Sequence, residues 1–171
     1  MIAATERILG ILALVAIVLA LVSTVALVRR RIPGWLDVAA LPTATAIAAV
    51  ATGGSLFMSE VANYAPCTLC WYQRIAMYPL VIVLGVAALR GDRQVWRTSL
   101  PLAAIGAAVS IWHIAIENNP ALGGACDPVA PCSIIWVREF GFLTLPTMAL
   151  IGFVSTALLS LVVRQRAETS T

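Results

Sequence analysis

The sequence predicts an all-α protein that crosses a membrane several times. Of its 171 residues, 61% are hydrophobic and only 11% are charged, whereas a soluble domain carries about 25% charged residues. The apolar residues form runs long enough to cross a bilayer, which takes roughly 20 residues of helix. Because these runs are continuous and do not alternate with polar residues, they favour spanning helices over the strands of a barrel.

Five apolar segments qualify as spanning helices. They are residues 8–28, 41–61, 68–89, 100–116 and 142–163. The first segment also resembles a signal peptide, but its basic cluster Arg29-Arg30-Arg31 follows the apolar run, whereas a signal peptide carries its positive charge first. We therefore expect a retained first helix.

Proline and glycine mark the beginnings of the next helices. Pro33-Gly34 separates the first helix from the second, and Pro66 comes just before the third. Pro101 falls in the first turn of the fourth helix, and Pro146 has a similar place in the fifth. A proline costs little there because its missing N–H would have no partner within the helix.

The arginines predict the orientation. The chain has no lysine, and its net charge of +3 comes from clusters between apolar runs, which argues for topology signals and against a nucleic-acid site. Clusters follow the first, third and fifth segments, and positive loops face the cytoplasm. The loops at residues 63–66 and 117–141 then lie outside, with all four cysteines. Disulfides persist on that oxidising side of the membrane.

The first cysteine pair lies in the stretch PCTLCWYQR, at the outer end of the third helix. The N–H groups and dipole of a helix N-terminus stabilise a thiolate. Cys67 and Cys70 share one face of the helix, and Arg74 follows Cys70 one turn later. An arginine within a membrane helix costs several kcal/mol unless it has a partner. Arg74 is therefore a functional candidate, although an arginine that snorkels to the interface is an equally good explanation of its position alone.

The second pair, Cys126 and Cys132, lies in the outer loop with five residues between the cysteines. Alone, it suggests a surface disulfide. Zinc would prefer paired C-x-x-C or histidine ligands, so we expect no metal site. Beside a C-x-x-C pair, which more often exchanges disulfides than stabilises a fold, the second pair suggests a two-step relay. The pair in the loop would meet soluble partners, and the pair at the helix would face an acceptor in the lipid.

Two further expectations concern the outer side. His113, the only histidine, is predicted near the depth of Cys70 and Arg74, where a lipid-soluble acceptor would need a proton donor. An interfacial histidine with a satisfied hydrogen bond is the alternative. Residues 133–140 mix apolar side chains with Arg138 and Glu139, and we expect Ser133 to cap a short helix lying flat on the membrane surface.

Three stretches, PCTLCWYQRIAMYP, CDPVAPCS and WVREFGFLTLPTMAL, resemble the DsbB/BdbC disulfide-bond formation proteins, and most of all the BdbC-like branch. The resemblance covers roughly residues 41–163. It implies a four-helix membrane bundle that acts as a protein-disulfide:quinone oxidoreductase. Such a protein reoxidises an extracytoplasmic, thioredoxin-fold thiol oxidase (DsbA/BdbD-like) and passes the electrons to ubiquinone or menaquinone. It also implies the bacterial cytoplasmic (inner) membrane, with the cysteines on the extracytoplasmic face.

The resemblance also implies roles for single residues. Cys67 and Cys70 match the quinone-proximal pair, with Cys70 in contact with the quinone and Arg74 in the quinone site. Cys126 and Cys132 match the loop pair, with Cys126 forming the mixed disulfide with the partner. His113 resembles a quinone-site histidine. The first helix departs from the family's four-span pattern.

These expectations divide the chain into three parts. Residues 1–40 form an additional N-terminal helix and linker, residues 41–166 form the four-helix domain with its redox loop 117–141, and residues 167–171 form a tail. Two alternatives stay open. One is a membrane thiol reductase working in the opposite direction, although no cysteine lies on the cytoplasmic side to supply it. The other is a disulfide-stapled helical scaffold without catalysis.

Overall fold

The computed structural model describes residues 1–123, 126–127 and 130–169. Within them, five long helices follow one another: α1 (Ile2–Val28), α2 (Gly34–Glu60), α3 (Thr68–Arg90), α4 (Trp96–Asn118) and α5 (Leu145–Thr169). All five are long and apolar enough to cross a membrane. The predicted all-α, five-span architecture is confirmed.

Some helix ends differ from the predicted bounds, because the apolar content of the sequence does not show where a helix begins or ends. α2 begins at Gly34 rather than at residue 41, because Pro33, in an extended conformation, sets the helix start and Pro42 is accepted inside the helix. α3 begins at Thr68 as predicted, with Cys67 as its N-cap. It ends at Arg90, and the next residue, Gly91, caps it in a left-handed backbone conformation that suits glycine.

Helices α2 to α5 pack around a core of small and aliphatic side chains. Leu80, Leu84 and Phe153 are fully buried in it. The Ser99 and Ser160 hydroxyls share a hydrogen bond of 2.8 Å between α4 and α5. In lipid, where apolar burial drives little association, such close packing of small residues and polar links holds helices together.

The additional helix α1 packs along α5 and touches α2 only sparsely. The Ser155 hydroxyl of α5 donates to the carbonyl of Ala16 at 3.1 Å. At the other end, the Tyr64 hydroxyl donates to Glu6 Oε1 at 2.7 Å. These contacts attach α1 to the bundle at mid-height and near its first turns.

The arginine-rich regions gather at one end of the bundle. Arg93, after α3, and Arg166, at the end of α5, both pair with Asp37 near the start of α2, and Arg166 also donates to the carbonyl of Ile32. The connection between α2 and α3 and the long loop between α4 and α5 lie at the opposite end. The bundle therefore separates the cysteines from the basic clusters, as the sequence predicts.

The expected short helix at residues 133–140 is wrong. That segment is irregular, with a turn near Ser133 and one isolated bridge between Glu139 and Leu143. A 3₁₀ turn, Pro120–Leu122, lies earlier in the loop instead. The segment is held by side chains: the Trp136 ring stacks on Tyr64 at 5.0 Å, and Val137 is buried. These long-range contacts stabilise the irregular conformation in place of a helix, and a local sequence pattern does not reveal them.

Gly106 provides a test of the packing between α4 and α5. A Cβ at this position would overlap the ring of the fully buried Phe153. We expect Gly106→Ala to destabilise the fold by about 1–3 kcal/mol, because the added methyl group forces the closely packed ring of Phe153 to shift. Gly53→Ala is the matched control: nothing lies within 4 Å of its Cβ, so alanine should stabilise α2 by about 0.5–1 kcal/mol. Thermal unfolding in detergent measures both, and equal midpoints for the two variants would contradict the packing described.

Candidate redox site

The first turn of α3 positions the C-x-x-C pair. Cys67 occupies the N-cap, and its Sγ accepts a hydrogen bond of 3.4 Å from the Cys70 backbone N–H. Both thiols are free, and their Sγ atoms lie 3.0 Å apart. A small movement would therefore close the pair into a disulfide.

The His113 side chain lies beside the C-x-x-C pair. Its ring is 3% exposed, and Nε2 lies 3.7 Å from Cys67 Sγ and 3.1 Å from the carbonyl oxygen of Cys132. Since a carbonyl only accepts, Nε2 carries the hydrogen there, and the same N–H points between the two acceptors. Nδ1 has no hydrogen-bond partner among the described residues. His113 thus connects the helix pair to the loop pair.

The loop pair forms a disulfide between Cys126 and Cys132. The two sulfurs differ in access: Cys126 is half-buried, while Cys132 is 1% exposed and packs in one apolar cluster with Cys67. A thiolate from outside therefore reaches Cys126 more easily than Cys132. Cys132 is also connected to Cys67 through His113, whose Nε2 lies near both the Cys132 carbonyl and Cys67 Sγ.

Arg74 is buried, at 8% exposed, inside the bundle. Its Nε donates to the Ser55 hydroxyl and its Nη2 to the Ser55 carbonyl, both at 3.0 Å, and its guanidinium lies 5.0 Å from the Trp71 ring centre. No described carboxylate pairs with it. A buried charge without a counter-ion favours a ligand that carries or develops negative charge.

A cavity of about 340 Å³ lies between α1, α2, α3 and α5. Most of its polar side chains, among them Ser55, Cys70 and Arg74, lie toward its cysteine end, and the remainder is mainly apolar apart from Thr43 and Tyr78. This volume falls within the range of about 300–1,000 Å³ that small-molecule sites occupy. Such a cavity suits an amphipathic molecule with a polar head at Cys70 and an apolar chain.

A second, much smaller pocket of about 20 Å³ is lined by Cys67, Cys70, His113 and Glu117, among others. His113 lines this pocket and not the large cavity. The structure therefore brings Cys70 and Arg74 together at the cavity, and brings Cys67, His113 and Cys132 together on the loop side.

The ligand atoms of Cys67, Cys70 and His113 lie within 4.8 Å of one another, as in a metal site. Two thiolates on tetrahedral zinc would be about 3.8 Å apart, given a Zn–S distance of about 2.3 Å. The sulfurs are closer than that, and the His113 Nε2–H is directed to a carbonyl. The spacing suits a thiol pair that exchanges with a disulfide better than a zinc ligand set.

Sequence reasoning missed several residues of this site. Ser55 and Gln73 are polar residues on cavity-facing helices, and polar side chains within apolar spans are a usable signal. Gln73 donates to the Ser110 hydroxyl at 3.0 Å. Glu117 is half-buried and accepts a hydrogen bond of 2.7 Å from Thr144. The Tyr64–Trp136 stack lines the large cavity, and Trp136 also lines the smaller pocket. This stack had no local signal because the two residues are far apart in sequence.

The hydrogen bond from the Cys70 thiol, followed by that from His113, lowers the pKa of Cys67 far below its ordinary value. The reduced pair should therefore keep a thiolate at pH values well under about 8.5. The measurement uses the Cys126→Ser/Cys132→Ser variant, in which Cys67 and Cys70 are the only thiols. We expect its thiolate absorbance near 240 nm to persist to these low pH values. Adding Cys67→Ser to the same variant is the control that should remove the low-pH signal. A midpoint at or above the ordinary thiol value would contradict the described geometry.

Together, the fold and site define an all-α, multi-pass membrane protein with two cysteine pairs at one end of its bundle. Comparison with known proteins agrees: the model of the family "Disulfide bond formation protein DsbB" matches residues 37–163. The chain belongs to this family and is a disulfide-forming membrane oxidoreductase.

Curated relatives support the BdbC-like branch. The chain is 46% identical over 127 residues to "Probable disulfide formation protein C 1" of Bacillus cereus, covering 72% of this chain and 91% of the relative. It is 46% identical over 110 residues to "Disulfide bond formation protein C" of Bacillus subtilis, covering 63% and 80%. A protein of Metapseudomonas resinovorans, "Probable disulfide formation protein", is 39% identical over 123 residues, covering 70% and 85%. No solved structure gave a significant match.

Proposed function

We propose that the protein is a thiol:quinone oxidoreductase that reoxidises a thioredoxin-fold thiol oxidase and passes the electrons to a membrane quinone. The observation that carries the proposal is the position of Cys70. It borders the thiol pocket on one side and, with Arg74, the polar end of an apolar cavity on the other. The site thus joins a disulfide-exchange centre to a place for a lipid-soluble acceptor.

The first step is attack of a partner thiolate on Cys126. Its greater access, compared with the buried Cys132, supports this direction. The partner–Cys126 bond forms as the Cys126–Cys132 bond breaks, and Cys132 leaves as a thiolate. The second thiolate of the partner then attacks the mixed disulfide, so the partner departs oxidised and Cys126 is reduced.

The second step transfers the two electrons to the helix pair. Cys132 attacks Cys67 of an oxidised Cys67–Cys70 pair, and Cys70 leaves as a thiolate. Attack of Cys126 on Cys132 then restores the loop disulfide and frees Cys67. The cluster of Cys132 with Cys67 supports this pairing, and the His113 N–H stabilises charge on Cys67. Because His113 lines the smaller pocket, we assign it to this exchange in preference to the predicted role in protonating the quinone.

The third step re-forms the Cys67–Cys70 disulfide. A quinone bound in the cavity supplies the acceptor for two electrons and two protons and leaves as the quinol. Its head group fits beside Cys70, with Arg74 stabilising negative charge where water is excluded. The Ser55 contacts hold two N–H groups of Arg74 and leave others for an acceptor. The net result is one disulfide in the partner and one quinol in the membrane.

The topology completes the proposal. The cysteine end faces outward from the bacterial cytoplasmic membrane, and the arginine end faces the cytoplasm, as the positive-inside rule predicts. Residues 41–166 form the catalytic bundle with its loop 117–141. Residues 1–40 are an addition, whose α1 lies outside the residues that match the family.

A trapping experiment tests the order of exchange. We expect a partner whose second cysteine is replaced by serine to be trapped by the oxidised wild-type protein as a mixed disulfide at Cys126. Its thiolate breaks the Cys126–Cys132 bond, and no second thiolate of the partner releases it. Cys126→Ser should give no such adduct. Non-reducing electrophoresis and mass spectrometry of the joined peptides measure it. Joined peptides of the wild-type protein that contain Cys132 in place of Cys126 would reverse the assignment.

A further inference from the structure

The large cavity is open to the lipid on one side, between α1 and α2. Three of its lining residues are also well exposed on the outside of the bundle: Leu12 at 41%, Val15 at 50% and Val50 at 41%. A side chain that lines a cavity and is also this exposed stands at an opening. α1 rests on α5 and meets α2 only sparsely, which leaves this gap between the two helices.

The opening is closed at its cysteine end. There Leu9 of α1 packs on Gly54 of α2 so tightly that a Cβ at Gly54 would lie 2.9 Å from Leu9 Cδ2. Glu6 and Tyr64 join by a hydrogen bond just above it. An occupant with its head at Cys70 therefore leaves sideways into the lipid, below Leu9, and not toward water.

We propose that α1 and α2 form a lateral portal in which the isoprenoid chain of the quinone lies, so that α1 is a specificity element for chain-bearing quinones. This inference rests on the proposed function. The cavity-lining stretch of α1, Leu9 to Leu19, extends about 15 Å along the membrane normal at 1.5 Å per residue. The cavity of about 340 Å³ holds a head group and the first part of a chain, and the rest of a long chain must pass between Val15 and Val50.

The argument for this occupant is continuity with the redox site. Most polar side chains of the cavity lie toward the end that holds Cys70 and Arg74, and the three residues at the opening are aliphatic. A lipid acyl chain fits the aliphatic part equally well but has no reducible head for Cys70. If the quinone chain occupies the opening, blocking the opening slows the reduction of long-chain quinones more than that of quinones without a chain. If a lipid acyl chain occupies it, blocking the opening makes no such difference.

The test compares a long-chain quinone with an analogue that has the same head and no chain. We expect Val15→Trp and Val50→Trp to lower kcat/KM for the long-chain quinone by about tenfold or more, with a much smaller effect on the analogue. Val18→Trp on α1 and Val38→Trp on α2 are matched controls, since both valines are exposed and neither lines the cavity. Oxidation of one equivalent of partner without quinone should be unchanged in all four variants.

Equal loss for both quinones, or no loss for either, would overturn the portal and favour a lipid acyl chain as the occupant. A loss confined to the long-chain quinone in the control variants Val18→Trp and Val38→Trp would also overturn it. Failure of the proposed function looks different: the wild-type protein would then reduce neither quinone. If Val15→Trp disturbs folding, that variant will also fail to oxidise one equivalent of partner. The test then rests on Val50→Trp, on the opposite side of the gap.

Discussion

Cys70→Ser is expected to lower the rate of quinone reduction by at least about a thousandfold, since it removes the group that reacts with the acceptor. The loop disulfide is untouched, because Cys126 and Cys132 are bonded to each other and not to the helix pair. The variant should therefore oxidise one equivalent of reduced partner and then stop. Stopped-flow absorbance under anaerobic conditions follows the quinone, and thiol counting follows the partner.

Thr68→Ser is the matched control for this prediction. It changes the first residue of the same helix without touching a thiol and should retain the wild-type rate. Quinol formation by Cys70→Ser at the wild-type rate would show that electrons leave the protein by another path.

Arg74→Gln is expected to lower kcat/KM for quinone by about a hundredfold, the typical cost of removing one group that stabilises developing charge. The kcat/KM of Arg74→Lys should lie between those of the wild type and Arg74→Gln, because lysine keeps the charge but not the forked contact with Ser55. Oxidation of one equivalent of partner should not change in either variant. Steady-state kinetics at several quinone concentrations measure both effects.

Arg97→Gln is the control for a general effect of losing an arginine. Arg97 also lies over a tryptophan, Trp96, at 5.6 Å from the ring centre, but at the arginine-rich end of the bundle. If Arg74→Gln costs no more than Arg97→Gln, Arg74 has only a structural role, as the scaffold alternative predicts.

The local features of the site could be predicted from the sequence. The C-x-x-C pair at a helix start and the arginine one turn below Cys70 follow from helix geometry, and the structure has α3 beginning at Thr68. The number of spanning segments between one basic cluster and the next predicts that the cysteines and the basic clusters lie at opposite ends of the bundle. These inferences need only residues close together in the chain or a rule about membranes.

The contacts between distant segments could not be predicted in this way. α1 is apolar on all sides, so no pattern in its sequence shows which face meets α5 and which lines the cavity. Ser55 as the partner of Arg74, and His113 beside Cys67, depend on how α2 and α4 are rotated against α3. The irregular segment with Trp136 has a plausible helical composition, but its stacking on Tyr64 decides the conformation.

The most direct test of the account is an anaerobic mixture of purified protein, excess reduced partner and excess quinone. The amounts of new disulfide in the partner and of quinol are measured together over many turnovers. We predict one quinol for each partner disulfide over many turnovers. Without partner no quinol should form, and without quinone partner oxidation should stop once the protein's own disulfides are used. Partner oxidation that stops after the protein's own disulfide is used, with no quinol formed, would contradict the central claim.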